Sequence, residues 1–199
     1  MAKWKFSKLQ SPARFRYPAQ MKKFIFVTGM AGSGKSTISK ELNLLGYKSY
    51  DIEDNEYGLF TMVRRDTGKL YEDYDNTDME KVKNARWTCD VSKLKEFVNK
   101  QTEGIVFYCG ISSNNEEVMS LFDVSILLKA SSETIYKRLL TREGTEDYGN
   151  TEAGRQNALG WKDEFEGKMQ KAGMLVVDAN SNPREVANKI VELVKSKIV

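Results

Sequence analysis

The chain has 199 residues, of which 40% are hydrophobic and 30% are charged, and its formal net charge is +3. This length suits one domain with a sizeable core, and the composition is that of a globular protein rather than a disordered one. The apolar runs are far shorter than the roughly 20 residues of a membrane helix, and no secretory signal is visible. Two cysteines without any histidine argue against a zinc or disulfide scaffold, so we expect a cytoplasmic protein with free thiols.

The N-terminal segment is strongly basic. Residues 1–23 contain seven lysines and arginines and no acidic residue, so the rest of the chain is net acidic. Aromatic residues such as Trp4 and Phe6 lie between these cations, a composition that can contact nucleic acid or another anionic surface. The simpler interpretation is a basic, poorly ordered extension at residues 1–20. Met21 would be a natural start, so we predict one domain over residues 21–199.

The first half of the chain alternates apolar and amphipathic segments. In order, the patterns predict a strand at residues 23–28, a helix at 34–45, a strand at 47–52, a polar loop at 55–75 and a helix at 77–99 that is interrupted near Cys89. The first strand is aromatic and β-branched, and the first helix ends before Gly46.

The second half repeats the alternation. In order, we predict a strand at residues 104–110, a helix at 114–121, a strand at 123–130, a helix at 131–142, a loop at 143–150, a helix at 151–172, a strand at 174–179 and a last helix from residue 182. Strands that alternate with helices predict an α/β three-layer sandwich, in which a five-stranded parallel sheet lies between two layers of helices.

A phosphate-binding motif follows the first strand. Residues 29–36, GMAGSGKS, match the complete Walker A pattern between an apolar strand and a helix. Glycines let successive N–H groups point at one anion, and the helix N-terminus adds a positive dipole. Lysine in this pattern reaches the β- and γ-phosphates, and the serine hydroxyl can bind Mg²⁺. The motif predicts that a nucleoside triphosphate is bound by Gly29, Ala31, Gly32, Ser33, Gly34, Lys35, Ser36 and Thr37.

Other motifs narrow the class of P-loop protein. The chain lacks the Asn-Lys-x-Asp that a GTPase uses to recognise guanine, and the third predicted strand ends in Cys109-Gly110 rather than in the acid of a motor ATPase. The second predicted strand instead ends in YDIED, which places Asp51, Glu53 and Asp54 together. Open α/β sheets bind ligands at the carboxyl ends of their strands, so these acids are candidates for the site.

Taken together, these motifs resemble the P-loop small-molecule kinases, the group that contains shikimate kinase, gluconate kinase and adenylate kinase. The similar pieces are the Walker A motif, the acids at Asp51 and Glu53, the RLLTR of residues 138–142 and the VDANSNP of residues 177–183. The resemblance implies the P-loop NTP hydrolase fold, with the five predicted strands in the order 2-3-1-4-5. A Gly-Gly-Gly run follows the third strand of shikimate kinase, whereas this chain has CGISSN there, so the acceptor stays open.

The resemblance also implies roles for particular residues. Arg138 and Arg142 are four residues apart and share one helix face, which is expected to meet the nucleotide. One arginine would stack on adenine while the other neutralises charge on the transferring phosphoryl group. Asn180 lies in the loop expected to border the adenine. Of Asp51 and Glu53, one would hold Mg²⁺ together with Ser36 and the other would accept a proton from the acceptor.

The acceptor and the lid are expected between these elements. Residues 55–90 contain arginines and aromatics that suit an anionic or ring-bearing acceptor, with Arg64, Arg65, Arg86 and Trp87 among them. The polar segment 143–155 is predicted to be a lid that includes Arg155.

The predicted function is therefore transfer of the γ-phosphoryl group of ATP, with Mg²⁺, to a small nucleoside, nucleotide or hydroxy acid. The alternative is a nucleotide-binding regulator or a nucleic-acid-associated ATPase, including a polynucleotide 5′-kinase, which would contact nucleic acid through residues 1–20. No membrane partner is expected.

Overall fold

The computed structural model describes residues 22–102, 104–142 and 148–198. Its strands are β1 (Lys22–Gly29), β2 (Lys48–Asp51), β3 (Phe60–Arg64), β4 (Ala85–Cys89), β5 (Gly104–Cys109), β6 (Val124–Lys129) and β7 (Leu175–Asp178). Its helices are α1 (Lys35–Leu44), α2 (Met79–Lys83), α3 (Val91–Asn99), α4 (Asn115–Met119), α5 (Ser132–Leu140), α6 (Glu152–Gly160), α7 (Lys162–Lys171) and α8 (Pro183–Ile198). A short 3-10 turn, Asn55–Tyr57, follows β2.

Five strands form one parallel sheet in the order β2-β5-β1-β6-β7. The observed strand order is therefore not the predicted 2-3-1-4-5. The prediction counted five strands, whereas the structure has two further strands, β3 and β4, between β2 and β5 in the sequence. The five strands predicted from apolar runs are β1, β2, β5, β6 and β7 of the structure. The α/β class and the five-stranded parallel sheet are therefore confirmed.

The central strands are mostly apolar because they are covered on both faces. All residues from Phe24 to Gly29 of β1 are buried, although neighbouring side chains of a strand point to opposite faces. The same holds for residues 105–109 of β5 and 126–128 of β6. Parallel sheets buried in this way carry helices over both faces. The carboxyl ends of the five strands meet at one edge, and this edge positions the site.

An antiparallel hairpin, β3–β4, replaces part of the predicted loop 55–75 and part of the predicted helix 77–99. The predicted helix 77–99, interrupted near Cys89, is in the structure two helices, α2 and α3, each capped by an aspartate, with a strand between them. Between them, β4 pairs with β3, and the Phe60 and Trp87 rings stack with centroids 5.4 Å apart. This pairing joins segments about 25 residues apart, so it depends on tertiary context rather than on a local pattern.

The predicted helix 151–172 is two helices, α6 and α7, which meet at Trp161. Trp161 leaves the helical conformation, with φ −106° and ψ 4°, and its ring packs edge-on against Phe165. The preceding Gly160 is a poor helix former, which favours a break at this point.

Some predictions fall outside the described residues. They are the basic extension at residues 1–20 and the 143–147 part of the predicted lid. Among the residues that the structure describes, no helix is both long enough and apolar enough to cross a lipid bilayer.

Candidate functional site

The Walker A residues form a tight turn between β1 and α1. Gly32 and Gly34 have φ angles of 79° and 103°, a region that side chains disfavour. Gly29 is required for a different reason, because a β-carbon there would lie 2.6 Å from Ser33 Oγ and 2.7 Å from the Leu128 carbonyl oxygen. Gly29 therefore packs behind the loop, whereas residues 31–37 line a cleft of about 1610 Å³.

Helix α1 begins without a side-chain cap. Gly34 at its N-cap offers no hydrogen-bonding side chain, and no acid lies in its first turn. In contrast, α2, α3, α5 and α6 are each capped by an Asp, Ser or Thr side chain. The hydroxyl-bearing Ser36 and Thr37 are exposed at this end of α1. A helix N-terminus with free donor capacity and a positive dipole is suited to an anion.

Lys35 brings a buried positive charge to the cleft. Its side chain folds back on the loop, and Nζ donates to the carbonyl oxygens of Gly29 at 3.1 Å and Met30 at 3.4 Å. Nζ also lies 3.7 Å from Glu53 Oε1. These contacts hold the ammonium group beside the phosphate loop.

The acids after β2 have three different environments. Asp51 is the last residue of β2 and lines the cleft. Asp54 caps the 3-10 turn by accepting a hydrogen bond from the Glu56 N–H at 3.0 Å. Glu53 accepts from the Ile111 N–H at 3.0 Å through Oε1 and from Trp87 Nε1 at 3.2 Å through Oε2. Both carboxylate oxygens of Glu53 thus already have protein donors.

The pKa of the Glu53 carboxyl is raised above its usual value, chiefly because burial disfavours the charged form. The neighbouring Lys35 ammonium and the two N–H donors oppose this rise, while the Asp51 carboxylate adds to it. Through its contacts with Lys35, Trp87 and Ile111, Glu53 connects the phosphate loop, the β3–β4 hairpin and the segment after β5.

The two arginines of the RLLTR motif both line the cleft. Arg138 on α5 donates to the carbonyl oxygens of Ser33 at 3.1 Å and Ala179 at 2.8 Å. Burial lowers the pKa of its guanidinium, but arginine remains charged at neutral pH. Arg138 thus fastens the phosphate loop to the segment after β7, a bridging contact that the sequence analysis did not foresee. Arg142 lies just beyond the end of α5.

The side chains of two other predicted site residues, Asn180 and Arg155, make hydrogen bonds to nearby parts of the protein instead of lining the cleft. The Asn180 side-chain oxygen accepts from the Ser131 N–H at 2.9 Å, and its amide donates to Asp178 at 2.6 Å. Neighbouring Ala179 and Ser181 line the cleft, but Asn180 does not. Arg155 is buried and donates to the Gly149 and Asn150 carbonyl oxygens, so it holds the start of α6 rather than the cleft.

The far wall of the cleft is the β3–β4 hairpin. The Ser113 N–H donates to the Trp87 carbonyl oxygen at 2.7 Å, which docks the hairpin onto the segment after β5. Arg65, Arg86 and Trp87 line the cleft, as do Met62 and Tyr74. Arg64 does not; it pairs with Asp66 at 3.4 Å and lies over the Tyr71 ring. Part of the predicted acceptor region 55–90 therefore faces the phosphate loop.

The cleft offers few side-chain ligands for a metal ion. Within residues 22–102, 104–142 and 148–198, no three Asp, Glu, Cys or His side chains gather into a metal-binding group. The Ser36 hydroxyl and the Asp51 carboxylate nevertheless line the same cleft. Mg²⁺ keeps several waters and is usually held by one or two carboxylates together with substrate phosphates, so this sparse set fits it.

Comparisons with known proteins agree with this architecture. Residues 25–157 match the family described as AAA domain. The fold is similar to that of shikimate kinase from Acinetobacter baumannii in complex with shikimate, with a TM-score of 0.59 and 19% identity over 89% of this chain and 95% of that one. It is also similar to deoxyadenosine kinase from M. mycoides, with a TM-score of 0.53 and 19% identity over 87% and 98% of the two chains. A search of curated proteins found no match. The resemblance to the fold of the P-loop small-molecule kinases is confirmed.

Proposed function

The chain belongs to the AAA domain family, and we propose that it is an ATP- and Mg²⁺-dependent phosphotransferase that moves the γ-phosphoryl group to a small-molecule acceptor. One observation carries the proposal. A single cleft is lined on one side by the phosphate loop and on the other by the β3–β4 hairpin. A nucleotide at the loop would leave the hairpin side for a second substrate, which hydrolysis by water alone does not need.

The nucleotide would bind with its phosphates at the start of α1. The backbone N–H groups of residues 32–36 and the Lys35 ammonium are the donors, and the Arg138 clamp keeps the loop in shape. Ser36 and Asp51 would hold Mg²⁺, which supplies neutralising charge to the phosphates when bound. Arg142 lines the same cleft and would neutralise charge on the moving phosphoryl group.

The two predicted acids take different roles in this proposal. Asp51 lines the cleft and would contact the acceptor hydroxyl or a metal-bound water. Glu53 is a positioning residue, because its oxygens are engaged by Ile111 and Trp87 and one of them faces Lys35. It would hold the ammonium group in place and so fix the charge that the γ-phosphate meets.

The experiment is acceptor-dependent ADP release. The protein is incubated with Mg²⁺ and ATP, alone and with nucleosides, nucleoside monophosphates and hydroxy acids, and phosphorylated product is identified by mass. We expect ADP to form in step with one phosphorylated acceptor, and Lys35→Ala to abolish both. Slow ADP release that no acceptor stimulates would contradict the phosphotransferase and favour the ATPase alternative.

A further inference from the structure

We propose that the acceptor carries a planar aromatic ring with a polar edge, and that this ring is bound in an apolar slot between the β3–β4 hairpin and the helices α6 and α7. The slot is the part of the cleft that is lined by one face of the hairpin and by a stripe of side chains on these helices. The inference rests on the proposed phosphotransferase function and names the acceptor class of the same cleft.

One wall of the slot is the apolar face of the hairpin. Met62 is paired directly with Trp87 in the antiparallel register, and directly opposed residues point to the same face. Ala85 lies two residues before Trp87 and so shares this face. All three line the cleft and are only partly buried. This wall therefore leaves apolar surface open to the cleft.

The other wall is a stripe at the start of α7 and along it. Trp161, Phe165 and Met169 recur every four residues, and all three line the cleft. The Phe165 N–H donates to the Trp161 carbonyl oxygen at 3.0 Å, so the spacing is helical. The Trp161 and Phe165 rings meet edge-on, with centroids 5.4 Å apart. Phe165 and Met169 are buried and Trp161 is half-buried, so the indole is the member of the stripe most open to the cleft.

Both walls are attached to the segment after β5. The Ser113 N–H donates to the Trp87 carbonyl oxygen at 2.7 Å, which anchors the hairpin. Two residues on, Nδ2 of the buried Asn115 lies 3.8 Å from Met169 Sδ, which brings α7 to the same segment. Ser112 and Asn115 themselves line the cleft. The hairpin and α7 therefore stand beside one short segment, which forms the floor of the slot.

Two tyrosines bring the walls close to each other a second time. Tyr74 lies in the segment that joins β3 to β4, Tyr148 precedes α6, and both line the cleft. The pKa of the Tyr74 hydroxyl is raised to about 12, first by partial burial and then by the nearby Tyr148 phenol. Asn157 Nδ2 donates to the Tyr148 hydroxyl at 2.6 Å, while the Asn157 side-chain oxygen has no donor among the described residues. This oxygen can accept a hydrogen bond from the edge of a bound ring.

The composition of the slot favours a flat ring over a sugar acid. Aromatic rings on both walls offer stacked or edge-on contacts, and the sulfur atoms of Met62 and Met169 also favour contact with rings. A carboxylate or a polyol would lose water there without gaining equivalent hydrogen bonds. A heteroaromatic ring has two apolar faces for the walls and a polar edge for Asn157. Pockets with mostly apolar walls and a few polar groups bind such ligands.

The test measures binding by calorimetry to protein saturated with Mg²⁺ and a non-hydrolysable ATP analogue, so that the nucleotide site is filled. The probes are alcohols that differ in the ring. Adenosine, cytidine and uridine are compared with methyl riboside, and pyridylmethanol is compared with cyclohexylmethanol. We expect the aromatic member of at least one comparison to bind about tenfold or more tightly. A preference confined to the nucleosides identifies a nucleobase, and one confined to pyridylmethanol identifies a smaller aromatic alcohol.

Variants connect this preference to the two walls. Tyr74→Leu and Trp161→Leu keep an apolar side chain but each remove an aromatic ring from one wall, and each should reduce the preference about fivefold or more. Tyr47→Leu is the control, because Tyr47 is also half-buried but packs on Phe107 outside the cleft, and it should retain the wild-type preference. Circular dichroism establishes which variants are folded. The inference is overturned if no aromatic member is preferred, or if a folded variant of either wall keeps the full preference.

The two proposals fail differently. An aromatic alcohol that binds with this preference but yields no ADP with Mg²⁺ and ATP would remove the phosphotransferase and leave the ring site. Phosphorylation of methyl riboside or of hydroxy acids as efficiently as of any aromatic alcohol would leave the phosphotransferase and remove the ring site.

Discussion

Replacing Trp87 with Phe should destabilise the protein more at high pH than at low pH. The Trp87 indole N–H donates to Glu53 Oε2 at 3.2 Å, and its ring stacks on Phe60. Phenylalanine can keep the stacking but has no donor. The substitution therefore removes one hydrogen bond to a carboxylate that links the hairpin to the phosphate loop.

The size of the effect follows from the charge of the acceptor. A hydrogen bond to a charged group stabilises by about 1.5–3 kcal/mol, and one to a neutral group by about 0.5–1.5 kcal/mol. At 3.2 Å the lower end of each range applies. We expect the substitution to lower the free energy of unfolding by about 1.5 kcal/mol where Glu53 is ionised and by about 0.5 kcal/mol where it is protonated. The smaller ring adds a loss that is the same at both pH values.

The direction of the pH effect also follows from the raised pKa of Glu53. Above the usual value of 4.5, the folded protein holds the Glu53 proton more tightly than the unfolded chain does. The contribution of Glu53 to the free energy of unfolding therefore falls as pH rises through this window. Removing the Trp87 donor raises the pKa further, so this fall becomes larger and extends to higher pH.

Urea unfolding at a high and a low pH measures the difference, and the larger loss is expected at the high pH. Trp161→Phe is the matched control, because Trp161 packs on Phe165 and its indole has no hydrogen-bond partner among the described residues. Its loss of stability should be the same at both pH values. If Trp87→Phe were also independent of pH, the link between Trp87 and ionised Glu53 would be refuted.

Three further substitutions test other parts of the site. Asp51→Asn should lower kcat about 100-fold or more in the ADP-release assay with little change in melting temperature, and an unchanged kcat would exclude Asp51 from the chemistry. Arg138→Met should lower the free energy of unfolding by about 2 kcal/mol in urea, since the Ser33 and Ala179 carbonyl oxygens lose their donor; equal stability would contradict the clamp. Gly34→Ala should lower the free energy of unfolding by about 1–2 kcal/mol, because Gly34 has a φ of 103° that alanine disfavours. Gly167→Ala is the control: Gly167 lies in open space on α7, so its replacement should leave the stability unchanged or raise it.

The phosphate loop and the sheet could be predicted because their signals are local. Glycine spacing, a preceding apolar strand and a following helix are all contained within residues 23–45. Continuous apolar runs identified the strands of the central sheet, since a strand buried on both faces tolerates few polar residues. The helix cap at Ser131 could also be predicted, and the Ser131 hydroxyl accepts a hydrogen bond from the Thr134 N–H.

The hairpin and the site contacts it makes could not be predicted in this way. β4 has only five residues between two helices, and it becomes a strand by pairing with β3. Glu53 and Trp87 are 34 residues apart, and Arg138 reaches Ser33 across 105 residues. Such contacts depend on the packed fold. Trp87 and Thr88 of β4 favour strands, but the helical patterns on both sides of this segment favoured a helix.

The most direct test of the account is calorimetric titration of Mg²⁺ and ATP into the wild-type protein and the Lys35→Ala variant. The account predicts one Mg²⁺-dependent site in the wild type and an affinity at least about 100-fold weaker in the variant, because the ammonium group beside the phosphate loop is lost. Circular dichroism would establish that the variant is folded. No binding heat from the wild type, or equal affinity in the folded variant, would contradict the account.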